Sequence, residues 1–314
     1  MEPYRHRIVS FTPYDLHILE SADSRNAISF VPGHGSLLQI RLAGKDLLAT
    51  VHDGAELKLN RWAKGNFLFP FANRLDEGTY AWEGETYQFP INETDSHTAL
   101  HGFFGNLAFD WESKDLRPTS AKLVFVREDP SPTPPYPFPH RIRLTFEIDS
   151  QKGIWIQTEV TNLGEGAMPV CWGWHPYFQL NGPLAEWELQ LPACDMIGID
   201  QRMLPTGKKY SFDRFKTYRA LGTEVFDNCF ALSSTEDRAQ IGLRSGTESL
   251  IYLQENGSGY YPFFQLFIPP DRDSLAIEPM TSNVNALRSG DGLLVLDPGK
   301  QESCGWGIQF QPEG

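Results

Sequence analysis

At 314 residues and 35.5 kDa, the chain is long enough to bury roughly three quarters of its unfolded surface, so it needs no staples to fold. Charged residues make up 21% and hydrophobic ones 40%, which excludes a disordered chain. A formal net charge of −13 argues against nucleic acid and against an anionic membrane surface as partners.

The first 19 residues carry Arg5, His6, Arg7 and Asp15 and hold no apolar run long enough for a signal peptide. No stretch of ~18 apolar residues occurs anywhere, so no membrane-spanning helix is expected and the cytoplasm is the expected compartment. Strand signals then recur along the chain, at 27–31, 37–42 and 122–127. Six prolines crowd the stretch 129–140, which reads as a long stiff loop between two strands of one sheet rather than a domain linker. The alternation at 141–148 is clean, with Ile142, Leu144, Phe146 and Ile148 on one face and Arg141, Arg143, Thr145 and Glu147 on the other. Residues 149–153 make a hairpin loop, and 154–160 repeats the alternation. Further runs lie at 187–191, 249–254, 263–268 and 307–310. With 27 Gly, 23 Pro and no long helix-period segment, the pattern predicts an all-β sandwich or barrel.

Four cysteines (Cys171, Cys194, Cys229 and Cys304) have wide, irregular spacings and read as buried reduced thiols rather than a zinc or redox motif. His97 and His101 are four apart, but their polar, turn-rich surroundings do not suit a helical metal site, and no metal is expected. Phosphate-loop, nucleophile-elbow and dinucleotide motifs are missing, so no cofactor is expected either. What remains is a set of polar residues in apolar, aromatic settings. His175 sits among Trp172, Trp174, Tyr177 and Phe178, rings that could stack on the C–H face of a sugar. Glu278 follows the apolar run 275–277, Asn73 and Arg74 follow 67–71, His101 lies in Leu100-His101-Gly102, and Asp227 lies between aromatics. Singly, each reads as structural. Together they form an inventory suited to holding a polyol and moving protons.

In order, Phe71-Ala72-Asn73-Arg74-Leu75, Gly78 with Gly84 and Tyr87, Leu100-His101-Gly102, Tyr136-Pro137, His175-Pro176-Tyr177-Phe178, Leu204-Pro205-Thr206-Gly207, Asp227-Asn228-Cys229-Phe230, Glu278-Pro279 and Asp297-Pro298-Gly299 resemble the aldose 1-epimerase (galactose mutarotase) family. The resemblance runs from about residue 28 to 310. It implies a large antiparallel β-sandwich, the galactose mutarotase-like supersandwich, with few short helices and one domain over 1–314. It also implies a monosaccharide substrate and no cofactor. By the same resemblance, His175 is the general acid that protonates the ring oxygen and Glu278 the base that takes the anomeric proton. Asn73, Arg74, His101, Asp227 and Gln265 are then substrate-binding residues. The chemistry asks for a histidine kept protonated near neutral pH and an ionised Glu278.

The chain departs from the familiar galactose mutarotases in Phe103-Phe104-Gly105 after Leu100-His101-Gly102, and in Gln265-Leu266-Phe267-Ile268-Pro269-Pro270. It resembles a divergent bacterial branch. A hexose-6-phosphate 1-epimerase is the alternative, for which Arg61, Lys64, Arg141 and Arg143 are the basic candidates. A non-catalytic sugar-binding protein and a glycosidase using Asp227 and Glu278 are further readings. The acidic balance is that of a monomer or homodimer.

Overall fold

A computed structural model of the chain describes residues 3–257 and 260–312. The alternating segments form the centre of a nine-stranded sheet. Its order is Asp110–Leu116, Ser120–Asp129, His140–Asp149, Gly153–Asn162, Gln301–Pro312, Glu248–Glu255, Arg238–Ser245, Glu188–Gln190 and Arg219–Ala220. Ile142, Leu144, Phe146 and Ile148 are fully buried while their alternates reach solvent, as period-two patterning requires. The expected hairpin closes at Asp149 opposite Gly153, with the Asp149 carboxylate accepting the N–H groups of Gln151 and Lys152.

The proline-rich stretch joins two adjacent strands of this sheet, since Asp129 pairs with His140. It is pinned rather than loose. Tyr136 is buried and donates its hydroxyl to the Pro169 carbonyl, and Tyr80 donates to the Pro135 carbonyl.

Two further sheets cover the apolar face. A five-stranded sheet is built from Arg5–Phe11, Tyr14–Glu20, Ala27–Val31, Ser36–Leu42 and Lys45–Asp46. From it, Phe30 packs against Phe125 and Phe146. An eight-stranded sheet runs Pro205–Ser211, Cys194–Ile199, Asp227–Leu232, Phe263–Phe267, Leu275–Met280, Gly173–Trp174 and Phe67–Leu68, with Tyr177–Phe178 also pairing to Leu275–Met280. From this sheet, Trp174 inserts between Phe146 and Trp306 and donates its indole N–H to the Thr158 hydroxyl. The ladders between these strands are antiparallel, and the helices Gly54–Lys58 and Ala286–Ser289 are short. The architecture is therefore the large antiparallel sandwich that the sequence predicts.

Two expectations shift. The run 187–191 narrows to Glu188–Gln190, because Trp187 ends a one-turn 3₁₀ helix. The hairpin Arg5–Phe11 with Tyr14–Glu20 was not expected, because an edge strand rich in Arg and His lacks clean alternation. All four cysteines are buried and free. Among the described residues, no helix is long and apolar enough to cross a membrane.

Candidate active site

Three neighbouring strands of the eight-stranded sheet bring the acidic and amide groups together. Gln265 lies directly opposite Glu278 on one side and Cys229 on the other. Asp227, two residues from Cys229, is on the diagonal, and its Oδ1 accepts the Gln265 Nε2–H at 2.7 Å. His175 follows the strand Gly173–Trp174, whose glycine permits the close approach. A Cβ at Gly173 would stand 2.7 Å from the Pro279 carbonyl and 3.0 Å from the Ala72 methyl. His175 Nε2 thereby comes to 3.4 Å from Glu278 Oε1. Both side chains are almost fully buried, at 5% and 2% exposed.

The segments 71–74 and 100–102 supply the opposite wall. Asn73 and His101 both adopt the left-handed region, with φ of 63° and 64°. They are locked to each other: the Asn73 N–H donates to His101 Nδ1, and the His101 N–H donates to the Asn73 carbonyl. Backbone strain of this kind persists only where the surroundings over-determine it. Gly102 makes the turn possible, since a Cβ there would meet the Phe69 carbonyl at 2.3 Å. With Nδ1 accepting, the neutral His101 ring keeps its proton on Nε2. Its ring centroid lies 5.2 Å from that of His175. Tyr177 stacks on the other side of His175, at 4.8 Å and 2° between planes.

Arg74 is held by Glu93 in a two-pronged ion pair, Nε to Oε2 and Nη2 to Oε1, each 2.7 Å. The Ser96 and Thr98 hydroxyls donate to the same Glu93 oxygen. Arg74 Nη2 also lies 3.9 Å from Asp227 Oδ2. These groups line one pocket of about 280 Å³, together with Arg61, Trp62, Phe104 and Phe267.

Electrostatics differ from the sequence expectation in one respect. Burial, then the neighbouring His101, pushes His175 well below the ordinary histidine range. Burial, then Asp227, pushes Glu278 well above the carboxylate range, with Arg74 offsetting part of it. Both shifts run against the expected protonated histidine and ionised Glu278, because burial favours the neutral form of each group. A buried pair sheds charge when nothing else solvates it. His101 falls to about 3 through burial and the Arg74 charge. Asp227 is raised by burial against the pull of Arg74 and Gln265. Glu93 is held low: burial would raise it, but hydrogen bonds from Arg74 and Ser96 prevail.

All seven residues singled out from the sequence, Asn73, Arg74, His101, His175, Asp227, Gln265 and Glu278, line this pocket. The other residues considered from the sequence divide between core, surface and pocket. Trp172, Trp174 and Phe178 are fully buried, so they form core rather than a sugar platform, and of the four rings around His175 only Tyr177 lines the pocket. Arg141 and Arg143 point outwards from the nine-stranded sheet and pair with Glu128 and Glu112. Arg61 lines the pocket, while Lys64 lies over the Tyr177 ring. His97 and His101 diverge. Both have positive φ, and His97 pairs with Glu77 at the surface. Sequence reasoning missed Glu93 and Trp62. Glu93 meets Arg74 only because Arg74–Asp76 and Thr98–Leu100 pair as strands. Trp62 did leave a signal, a lone indole in the polar run Asn60-Arg61-Trp62-Ala63-Lys64.

The 259-residue alignment to YihR of Escherichia coli K12, an uncharacterized protein, is 28% identical and covers 79% of each chain. Human galactose mutarotase is 28% identical over 141 residues, 44% of this chain and 39% of that one. A galactose mutarotase-like protein from Clostridium acetobutylicum superposes with a TM-score of 0.86 over 98% of both chains at 20% identity, a likeness of fold. The sequence profile described as aldose 1-epimerase matches residues 26–306, a span that includes every residue of the pocket, and the chain therefore belongs to the aldose 1-epimerase family.

Proposed function

We propose that the protein is a mutarotase that interconverts the α and β anomers of a free aldohexose. The observation that carries this reading is the His175–Glu278 contact at 3.4 Å, buried at the floor of a pocket whose walls offer Arg74, His101 and Asp227. Glu278 Oε2 and Gln265 Oε1 are buried there without a hydrogen-bond partner in the protein. Such atoms cost stability unless a ligand completes them.

Anomer exchange requires the hemiacetal to open and reclose. With the sugar bound, Glu278 Oε takes the anomeric hydroxyl proton as His175 Nε2 gives one to the ring oxygen, and the C1–O5 bond breaks. After rotation about C1–C2 the same two protons return and the bond reforms on the other face. One proton is shared by the pair throughout: ring opening leaves a neutral imidazole beside a carboxylic acid, the forms that burial favours, and ring closure returns the proton to His175. Arg74 and His101 Nε2–H stabilise the oxygens on which charge develops. A pocket of about 280 Å³ suits one ring rather than a chain, since ligand pockets in general run to about 300–1,000 Å³.

The glycosidase reading is disfavoured, because Asp227 and Glu278 rise from the same sheet with the strand Phe263–Phe267 between them. A sugar phosphate has one observation in its favour. Arg61 lines the pocket and has no ion-pair partner among the described residues. The test is anomer exchange followed by NMR at neutral pH and low temperature, starting from α-glucose, α-galactose and α-glucose 6-phosphate. Acceleration by wild type that disappears in folded Glu278→Gln and His175→Asn is the expected result. A folded wild type that accelerates none of the three would remove the enzymatic reading.

A further inference from the structure

The pocket presents polar groups and apolar surface side by side. A pyranose needs both, because its hydroxyls radiate from the ring edge while its C–H groups cluster on a face. Phe178 of the His-Pro-Tyr-Phe region is spent on the core, and the buried Tyr177 ring, which lines the pocket, is stacked against His175 with Lys64 over it. Phe104 and Phe267 of the lining are half-buried, whereas Trp62 is 47% exposed.

We propose that Trp62 is the residue that selects for the sugar ring itself: its indole is the surface on which the C–H face of the pyranose packs. This inference rests on the reading of the pocket as a sugar site. Three observations carry it. First, the indole is open. Its ring meets Phe267 at 5.7 Å with 30° between planes, and its N–H has no protein partner among the described residues. The other half-exposed indole, Trp111, is covered by Lys114 and His6 and donates its N–H to the Ser113 carbonyl.

Second, the backbone that carries it is held from both sides. The Tyr177 hydroxyl donates to the Trp62 carbonyl at 2.9 Å. Asn60 closes the loop by accepting the Lys64 N–H and donating to the Lys64 carbonyl and Asn66 Oδ1. Asn66, fully buried, donates to the Ser36 hydroxyl, which also bonds His34. Gly65 sits so close to the Leu37 carbonyl that a Cβ would stand 2.0 Å from it.

Third, the same loop fixes the proton-transfer residue. The Gly65 N–H donates to the His175 carbonyl, and the His175 N–H donates to the Asn66 carbonyl. An exposed indole on an immobilised loop that also holds His175 is a preorganised surface, whose ordering cost is met before the ligand arrives.

A platform of this kind binds the ring equally in the ground and transition states, so its loss raises KM and spares kcat. Trp62→Ala is expected to raise KM about tenfold with kcat within about twofold, and Trp62→Phe to recover most of the difference. Because the ring is exposed, both variants should keep the wild-type melting temperature. Sugar titration should also change the indole emission of wild type and Trp62→Ala differently. Unchanged KM in Trp62→Ala alongside active wild type overturns the platform and leaves mutarotation standing. So does a loss confined to kcat, which would mean that the loop acts only through His175. If Trp62→Ala does not fold, Trp62→Phe decides by its emission, since a sugar-induced change identical to that of wild type, with the Trp62 indole gone, overturns the proposal. No exchange by wild type on glucose, galactose or glucose 6-phosphate overturns both readings together.

Discussion

The outer face of the nine-stranded sheet and the pocket on the eight-stranded sheet use the same residue types to opposite ends. The outer face has the Trp155 indole, Arg238 and the Glu147 and Asp149 carboxylates around a hollow of about 410 Å³, larger than the pocket's 280 Å³. Elsewhere on this face charges are paired. Arg141 pairs with Glu128, Arg143 with Glu112 and Lys122 with Glu147. Trp155 lies over Gly305 and Gly307, where a Cβ would collide with its ring, and the Arg238 guanidinium sits 4.5 Å from its ring centre. In the pocket, by contrast, Glu278 Oε2, Gln265 Oε1 and His175 Nδ1 are buried without partners, and Trp62 is uncovered. Size does not distinguish the two regions. Unmet hydrogen-bonding capacity beside an open cavity does, because each such group costs about 1–3 kcal/mol that a bound hydroxyl can offset.

The sharpest way to break this contrast is to remove the proton-transfer groups. Glu278→Gln and His175→Asn should each lower kcat by about 10²–10⁴-fold in the NMR exchange assay. A fall of less than threefold in both would mean that the buried pair is structural. Next in size is Glu93→Gln. It leaves Arg74 free to turn towards Asp227 and Glu278, and kcat/KM should fall by roughly tenfold. The pH profile should move with it, because a closer Arg74 lowers the proton affinity of Glu278. An unmoved profile would mean that Glu93 does not act through Arg74.

The third effect is on stability. Glu278 has a folded-state pKa above its unfolded value of 4.5, so its contribution is intact below pH 4.5 and is lost as pH rises towards the folded value. Glu278→Gln should therefore raise the melting temperature at pH 7–8, by the equivalent of about 0.5–2 kcal/mol, with the gain shrinking towards pH 4.5. A gain that grows on acidification would reverse the assignment. The smallest effect belongs to the outer face. Arg143→Gln should change stability by less than about 0.5 kcal/mol and leave exchange unaltered, since the pair it breaks is solvent-exposed. A large loss of activity there would erase the distinction between the two faces.

Much of this was legible in the residues. Alternation at 141–148 and 154–160 needs only a sheet with one wet face, and the structure has that sheet. The seven pocket residues were found through ordered short motifs, because turns such as Ala72-Asn73-Arg74 and Leu100-His101-Gly102 are local and keep their chemistry next to their geometry. The proline-rich stretch was recognisable as a loop by the matching patterns on either side of it. The protonation of the pair was not legible. It depends on how completely His175 and Glu278 are buried and on Asp227 across a strand, none of which is a property of sequence neighbours.

By itself, then, the sequence determined the β architecture, the acidic balance and the titratable groups that come to line the pocket. These follow from period-two patterning, composition and side-chain chemistry. Only the tertiary structure decided which aromatic ring stays open, which arginine reaches the pocket and which carboxylate restrains Arg74. Trp62 lies between Arg61 and Ala63 and Trp174 between Gly173 and His175, each with one small neighbour and one basic or imidazole neighbour, yet one is half exposed and the other fully buried. That outcome is fixed by packing between sheets distant in sequence. Burial and pairing are properties of the assembled surface, and no residue carries them before the chain has folded.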